Sequence, residues 1–223
     1  MKKNPNTAII AWLSAGLLGF LLLPWYTIHD TAWYQVLGQI FAGPETANGL
    51  VQALEHQRPW LLFGLIGLGI AGLGLCVRPG RTQGAWLLAG GVLGLAGLLF
   101  SGFAIGARGW SYAPLAAAFG ELASNQFGMG AGAFVVLLAL LVLTAFGLAR
   151  VGYFKGDLFI AASVLTCSAL LALFIAFPVA KALSSAFIDE AGHWSLLAIF
   201  ARVGDERIWS LSCLAGGLRC GVA

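Results

Sequence analysis

Charge is what this sequence has least of. Asp, Glu, Lys and Arg make up 9% of its 223 residues, against 60% hydrophobic residues and a mean hydropathy of +0.90. A soluble domain carries roughly a quarter charged residues, so this chain cannot cover a water-facing surface. It reads as an integral membrane protein. The net charge of +3 is small and the basic residues are scattered, which argues against a nucleic-acid partner. The three histidines, His29, His56 and His193, stand far apart with no ligand-spaced neighbour. Each reads as solvated or interfacial, and no metal site is expected. HExxH, GxSxG and P-loop motifs are missing, and no carboxylate pair sits in an apolar setting. No catalytic residue and no cofactor are therefore expected, and the chain does not read as an enzyme.

Cysteine is also too sparse for a framework. Cys76 and Cys167 lie inside apolar runs, where a thiol packs as a small hydrophobe. Cys213 and Cys220 lack CxxC spacing and have no histidines at zinc-like offsets. They could pair if that segment faces an oxidising compartment.

What the sequence does have is long apolar runs. A hydrocarbon core of about 30 Å needs about 20 apolar residues in helix. Five runs approach or exceed that, at about 8–28, 60–77, 85–105, 131–149 and 158–180. None contains Asp, Glu, Lys or Arg, and intramembrane ionisable groups are the usual mark of proton relays and ion paths. The expected fold is all-α with five transmembrane helices. Trp12, Trp25 and Tyr26 fringe the first run as aromatic anchors. No small-residue cleavage pattern follows Leu23, so the run reads as an uncleaved span rather than a signal peptide. Arg78-Pro79-Gly80-Arg81 is a tight turn that makes the second and third runs a hairpin. In the long segment His29 to Pro59, Ala47, Leu50, Val51 and Leu54 recur at helical spacing, which predicts an amphipathic helix on the membrane surface.

Charge placement gives an orientation. The short polar segments Met1 to Thr7, Arg78 to Gly84 and Arg150 to Asp157 hold Lys2, Lys3, Arg78, Arg81, Arg150 and Lys155, half of the 12 Lys and Arg. The long segments hold eight of the nine acids. The positive-inside rule then puts the N-terminus in the cytoplasm and the C-terminal tail outside, in the periplasm.

Glycine is abundant. Gly67-Leu68-Gly69-Ile70-Ala71-Gly72 matches GxGxxG, but that fingerprint needs a strand before it and a phosphate-facing helix start after it. A mid-span position supplies neither. Gly90 to Gly94 is a GxxxG, and Gly97 to Ser101 extends the small-residue row. Such rows let helix backbones approach closely in lipid, so tight packing of the second span on the third is expected. A faint repeat, in which a span, a long loop with Trp33-Tyr34 or Trp110 and Tyr112, and another span follow each other twice, rests on a few aromatics.

The segment FIAFPVAKALSSAFIDEAGHWSLLAIFARVGDERIWSLSCLAGGL resembles the start of the permease core in ABC importers, most of all the two-fold-repeated permeases for ferric iron and related substrates. Phe177-Pro178 stands where the first core helix of that family ends. Leu183, Ser184, Ser185 and Phe187 match the short outer stretch, Asp189 and Gly192 the turn, and Trp209-Ser210 the amphipathic segment before the second core helix. The resemblance covers about the last 65 residues of the chain, so 1–157 would be a four-helix N-terminal extension and 158–223 the first core helix (158–180) plus an outer tail. It implies a permease subunit in a bacterial inner membrane, an ABC ATPase subunit and a periplasmic substrate-binding protein as partners, and iron as a candidate substrate. The family's Glu-Ala-Ala coupling loop has no match, and the chain stops at Gly221-Val222-Ala223 where the family would enter its next helix. A truncated permease that does not transport alone is the expectation. The alternative, fitted equally by glycine-rich spans without buried charge, is a self-contained membrane scaffold or assembly protein.

Overall fold

The computed structural model of the chain describes residues 6–27, 46–106, 109–122, 128–188, 193–197 and 200. These are mostly helical. Helix α1 spans Thr7–Leu22, α2 Gly49–Leu54, α3 Pro59–Cys76, α4 Arg81–Ala104, α5 Ala113–Phe119, α6 Ala131–Val151 and α7 Leu158–Ala186. A small antiparallel hairpin, β1 (Ile105–Gly106) with β2 (Gly109–Trp110), follows α4 and pairs Ile105 with Trp110. Four helices, α3, α4, α6 and α7, are long and apolar enough to cross a membrane. Helix α1 has 16 residues, about 24 Å at 1.5 Å per residue.

The first apolar run ends its helix earlier than its hydropathy does, and Pro24 is the reason. A residue before proline is pushed out of the α region, and Leu23 is extended at φ −105°, ψ 148°. From there the chain runs on between two neighbours. Trp25 N–H donates to Ala47 O at 3.1 Å, while Gly130 and Gly132 N–H donate to Trp25 O at 2.9 Å and Pro24 O at 2.8 Å. The predicted span of about 8–28 is thus a helix followed by an extended, hydrogen-bonded stretch.

Helix α4 starts at Arg81 rather than Ala85. Its first turn carries Arg81, Thr82 and Gln83, and Gln83 is fully buried. Gln83 Nε2 donates to Asn6 Oδ1 at 3.2 Å, and Arg150 Nη1 donates to the same oxygen at 3.2 Å. One amide oxygen therefore ties the starts of α1 and α4 to the end of α6.

The interior of the bundle is built on glycine. A Cβ on Gly67 of α3 would lie 2.6 Å from Gly94 Cα and 2.7 Å from Gly90 O of α4. A Cβ on Gly90 would strike Gly67 O and Ala71 N in return. The predicted close approach of the second and third spans is present, and it is backbone on backbone. The other face of α4 meets α6 in the same manner. Gly91 lies against Thr144 and Leu140 and Gly94 against the Leu140 methyls, and a Cβ on Gly147 of α6 would lie 2.6 Å from Leu88 N. Helix α6 then packs on α1, where Gly19 meets Val135 and Gly132 meets Gly19 O. Leu68, Leu87, Val136, Leu140 and Leu143 fill the centre, fully or almost fully buried. Phe63, Phe100 and Phe134 point outward, where lipid rather than water would meet them.

One end of the bundle, its outer end on the charge reading, is capped by residues 46–61 and 109–122. Asn48 Oδ1 accepts from Val51 N–H at 2.9 Å and starts α2, the usual N-cap arrangement. The predicted surface helix exists, but its faces differ from the expectation. Gly49, Gln52 and Ala53 are buried while Leu54 is 66% exposed. A Cβ on Gly49 would meet the Phe20 and Trp25 rings at 2.8 Å. Helix α2 presses on the end of the bundle. Trp60 packs edge-on to Trp110 at 4.8 Å and to Phe119 of α5 at 5.8 Å, and this extends the cap.

Candidate functional site

Helix α7 is the element that does not belong to the bundle core. Only 6% of its best 18-residue window is buried, against 39% for α3, 39% for α4 and 50% for α6. The chain reaches it by a tight reversal. Gly152 ends α6 at φ 109°, a left-handed conformation that costs glycine least, and its N–H returns to Leu148 O at 3.2 Å. Phe154 and Lys155 are also left-handed, at φ 53° and 57°. Asp157 then caps α7, its Oδ1 accepting from Phe159 N–H at 2.8 Å and Ile160 N–H at 3.1 Å. Ala161 is the one residue of α7 that is fully buried, against α6.

The helix does not stop at Pro178, where the permease resemblance puts the end of a helix. Proline lacks an N–H and crowds the carbonyl four residues back. Here a π turn over Ala172–Ala176 precedes it and absorbs the mismatch. The helix continues to Ala186, where Ser184 and Ser185 hydroxyls donate back to Lys181 O at 2.9 Å and Ala182 O at 2.7 Å.

Lys181 anchors the outer half of α7. Its Nζ donates to Phe103 O, among the last carbonyls of α4, and to Ser111 Oγ at 2.8 Å, and it lies 5.2 Å from the Phe103 ring centroid. A cation at a helix C-terminus meets unpaired carbonyls and the negative end of the helix dipole. Around it stand Phe177, edge-on to Phe103 at 5.7 Å, and Trp194, stacked on Tyr112 at 6.3 Å with 8° between ring planes. Phe187 lies 5.9 Å from Trp194. Helix α7 is thus held at its two ends, and Phe174, Leu171 and Ile175 between them are 72%, 60% and 59% exposed.

A second polar group lies in the outer cap. Arg58 Nη1 donates to Gln52 Oε1 at 3.0 Å, and its guanidinium carbon is 4.6 Å from the Tyr26 ring centroid. His56 Nε2 is buried and meets no hydrogen-bond partner among the described residues.

The residues singled out in the sequence are not brought together. His56 lies in the outer cap, His193 is exposed beside Trp194, and His29 lies outside the described residues. Among the described residues no three His, Cys, Asp or Glu converge. Cys76 and Cys167 are free. Gly67 to Gly72 sit inside α3 after a 3-10 turn, Gly67 packed against α4 and Gly69 and Gly72 facing open space. Asp189, Gly192, Trp209, Ser210, Cys213 and Cys220, with the Trp33-Tyr34 pair, lie outside the described residues. The roles of Asn6, Gln83 and Lys181 escaped sequence reasoning. Lys181 carried one signal, as a lone cation in the last turns of an apolar helix. No family model, curated protein or solved structure matches the chain.

Proposed function

We propose that the chain is a membrane subunit of an ATP-driven, binding-protein-dependent importer, and that α7 is the first helix of its translocation core. The observation that supports this reading is the separation of α7 from the bundle: 6% of its window is buried, against 39–50% for the other three long helices. The resemblance to ferric-iron-type permeases begins on the same helix. In this reading helices α1, α3, α4 and α6 anchor the subunit in a bacterial inner membrane. Helix α7 offers its free face to further core helices, and an ABC ATPase subunit drives the core between inward and outward access for a substrate delivered by a periplasmic binding protein. Helix α1 with the extended stretch after it is the fifth crossing, the N-terminus and the Gly80 turn are cytoplasmic, and the segment after α7 is periplasmic.

These residues do not transport alone, since a path needs more than one free helix. The test is reconstitution: proteoliposomes holding only this chain, with ATP inside or out, should take up no ferric iron. ATP-driven uptake would overturn the division of labour proposed for α7. Orientation is tested by single cysteines in a Cys-free background. One at Gly80 should resist impermeant maleimide in intact cells and one at Gly120 should react; the reverse pattern contradicts the charge reading.

A further inference from the structure

The four bundle helices close three of their seams through glycine, but the fourth, between α1 and α3, closes only in part. A Cβ on Gly16 of α1 would touch Leu68 Cδ2 at 2.8 Å, so the helices meet there. Beside that contact Gly69 and Gly72 of α3 face open space, and a methyl added at either would have nothing within 4 Å. The result is an apolar groove of about 380 Å³, with Ile10, Ser14 and Leu17 on one wall and Gly69, Gly72 and Leu75 on the other. Leu65 to Leu75 spans about 15 Å along the helix axis, half of a hydrocarbon core.

The Leu75 end of this groove leads directly into two arginines. Helix α3 stops one residue after Leu75, and the exposed Arg78 and Arg81 follow in the turn to α4. The Gln83–Asn6 hydrogen bond holds the start of α4 against the start of α1, so this turn sits at the mouth of the groove rather than on the far side of the bundle. Arg78 and Arg81 make no ion pair among the described residues, and Asp157, the one acid of the three short polar segments, is occupied in capping α7. Trp86, 39% exposed, lies against Gly74 at the same level, where an aromatic side chain suits the membrane–water interface.

We propose that the α1–α3 groove is a binding site for an anionic glycerophospholipid. One acyl chain lies along Gly69 and Gly72, and the phosphate meets Arg78 and Arg81. The charge at the mouth decides against a second transmembrane helix as occupant, because a helix ridge would fill the groove but leave the two guanidinium groups unused. Basic groups between transmembrane helices recognise anionic headgroups by this combination of a charged rim and an apolar slot. The proposal is independent of the importer reading and needs only that the bundle is embedded in lipid.

The test is native mass spectrometry of the full chain, delipidated in detergent and titrated with phosphatidylglycerol or phosphatidylcholine of identical acyl chains. The wild type should retain one phosphatidylglycerol in preference to phosphatidylcholine. Gly69→Leu/Gly72→Leu, which fills empty space and should keep the fold, should lose both lipids by about tenfold or more; circular dichroism checks that it is folded. Arg78→Gln/Arg81→Gln should keep phosphatidylcholine binding and lose the preference, by about thirtyfold for two arginines at the strength of surface contacts with anionic lipid. Unchanged phosphatidylglycerol binding in the filled variant would overturn the proposal. A wild-type dimer that the filled variant dissociates would overturn it as well, assigning the groove to a second copy. If the filled variant does not fold, Gly72→Val alone gives the same reading on a smaller plug.

Discussion

Replacing Gly67 by alanine should break the seam between α3 and α4, and replacing Gly69, two residues away, should not. The two positions share a helix, a composition and a depth in the membrane, so propensity cannot separate them. At Gly67 the new methyl would stand 2.6 Å from Gly94 Cα, whereas ordinary contact begins at 3.4 Å. The helices must then separate by about 0.8 Å, because the obstructing atoms are backbone and have no rotamer to change. A gap of 0.5–1 Å forfeits about a quarter to a half of each dispersion contact along the seam. Overpacking of this kind costs about 1–3 kcal/mol. At Gly69 the methyl meets nothing within 4 Å, and alanine gains up to about 1 kcal/mol of helix propensity over glycine. The two variants should therefore move stability in opposite directions. Reversible unfolding in mixed micelles, titrated with a denaturing detergent and followed by circular dichroism, reads the difference. Equal effects at Gly67 and Gly69 would refute the backbone-contact reasoning, and so would a destabilised Gly69→Ala beside an unchanged Gly67→Ala.

Three further outcomes follow from the packing. Gly91→Ala should destabilise α4 against α6 through a clash with Thr144 Oγ1, and Thr144→Ala should relieve part of that clash. A double-mutant cycle by the same unfolding assay should show a favourable coupling of about 0.5 kcal/mol or more, and strict additivity contradicts it. Asp157→Ala removes the acceptor for two N–H groups at the start of α7 and should cost about 1 kcal/mol; hydrogen exchange at Phe159 and Ile160 should rise while α4 is unaffected. Lys181→Met deletes the charged tie to Phe103 O and Ser111 Oγ. It should loosen the outer half of α7 and raise exchange across 177–186 by about tenfold, and an unchanged profile would show that the aromatic contacts alone hold it.

Much of the bundle was legible in the sequence, for physical reasons. Apolar runs of 18 or more residues have few alternatives to a spanning helix, and Gly67, Gly90 and Gly94 found the close contacts their spacing implied. Helix ends were harder to place. Pro24 cut α1 short of its hydropathy, Gly80 let α4 begin in polar sequence, and the π turn carried α7 past Pro178. The outer cap misled because Leu50 and Val51 look equally apolar whether they face lipid or the end of a bundle; burial of Gly49 and Gln52 decides it. Hydropathy carried no signal for the separation of α7, since it treats a lipid-facing and a protein-facing leucine alike; only the resemblance divided the chain at 158. Nor did composition reveal the α1–α3 groove, where Gly69 and Gly72 read like the packed glycines beside them.

The central claim is that α7 offers its free face to the rest of a permease core. A photoreactive benzoylphenylalanine in place of Phe174, which is 72% exposed at the middle of that face, tests it in native membranes. The claim predicts a covalent adduct with a membrane polypeptide whose peptides include a Glu-Ala-Ala coupling loop. Irradiation that yields only lipid adducts, or only adducts between two copies of this chain, would contradict it.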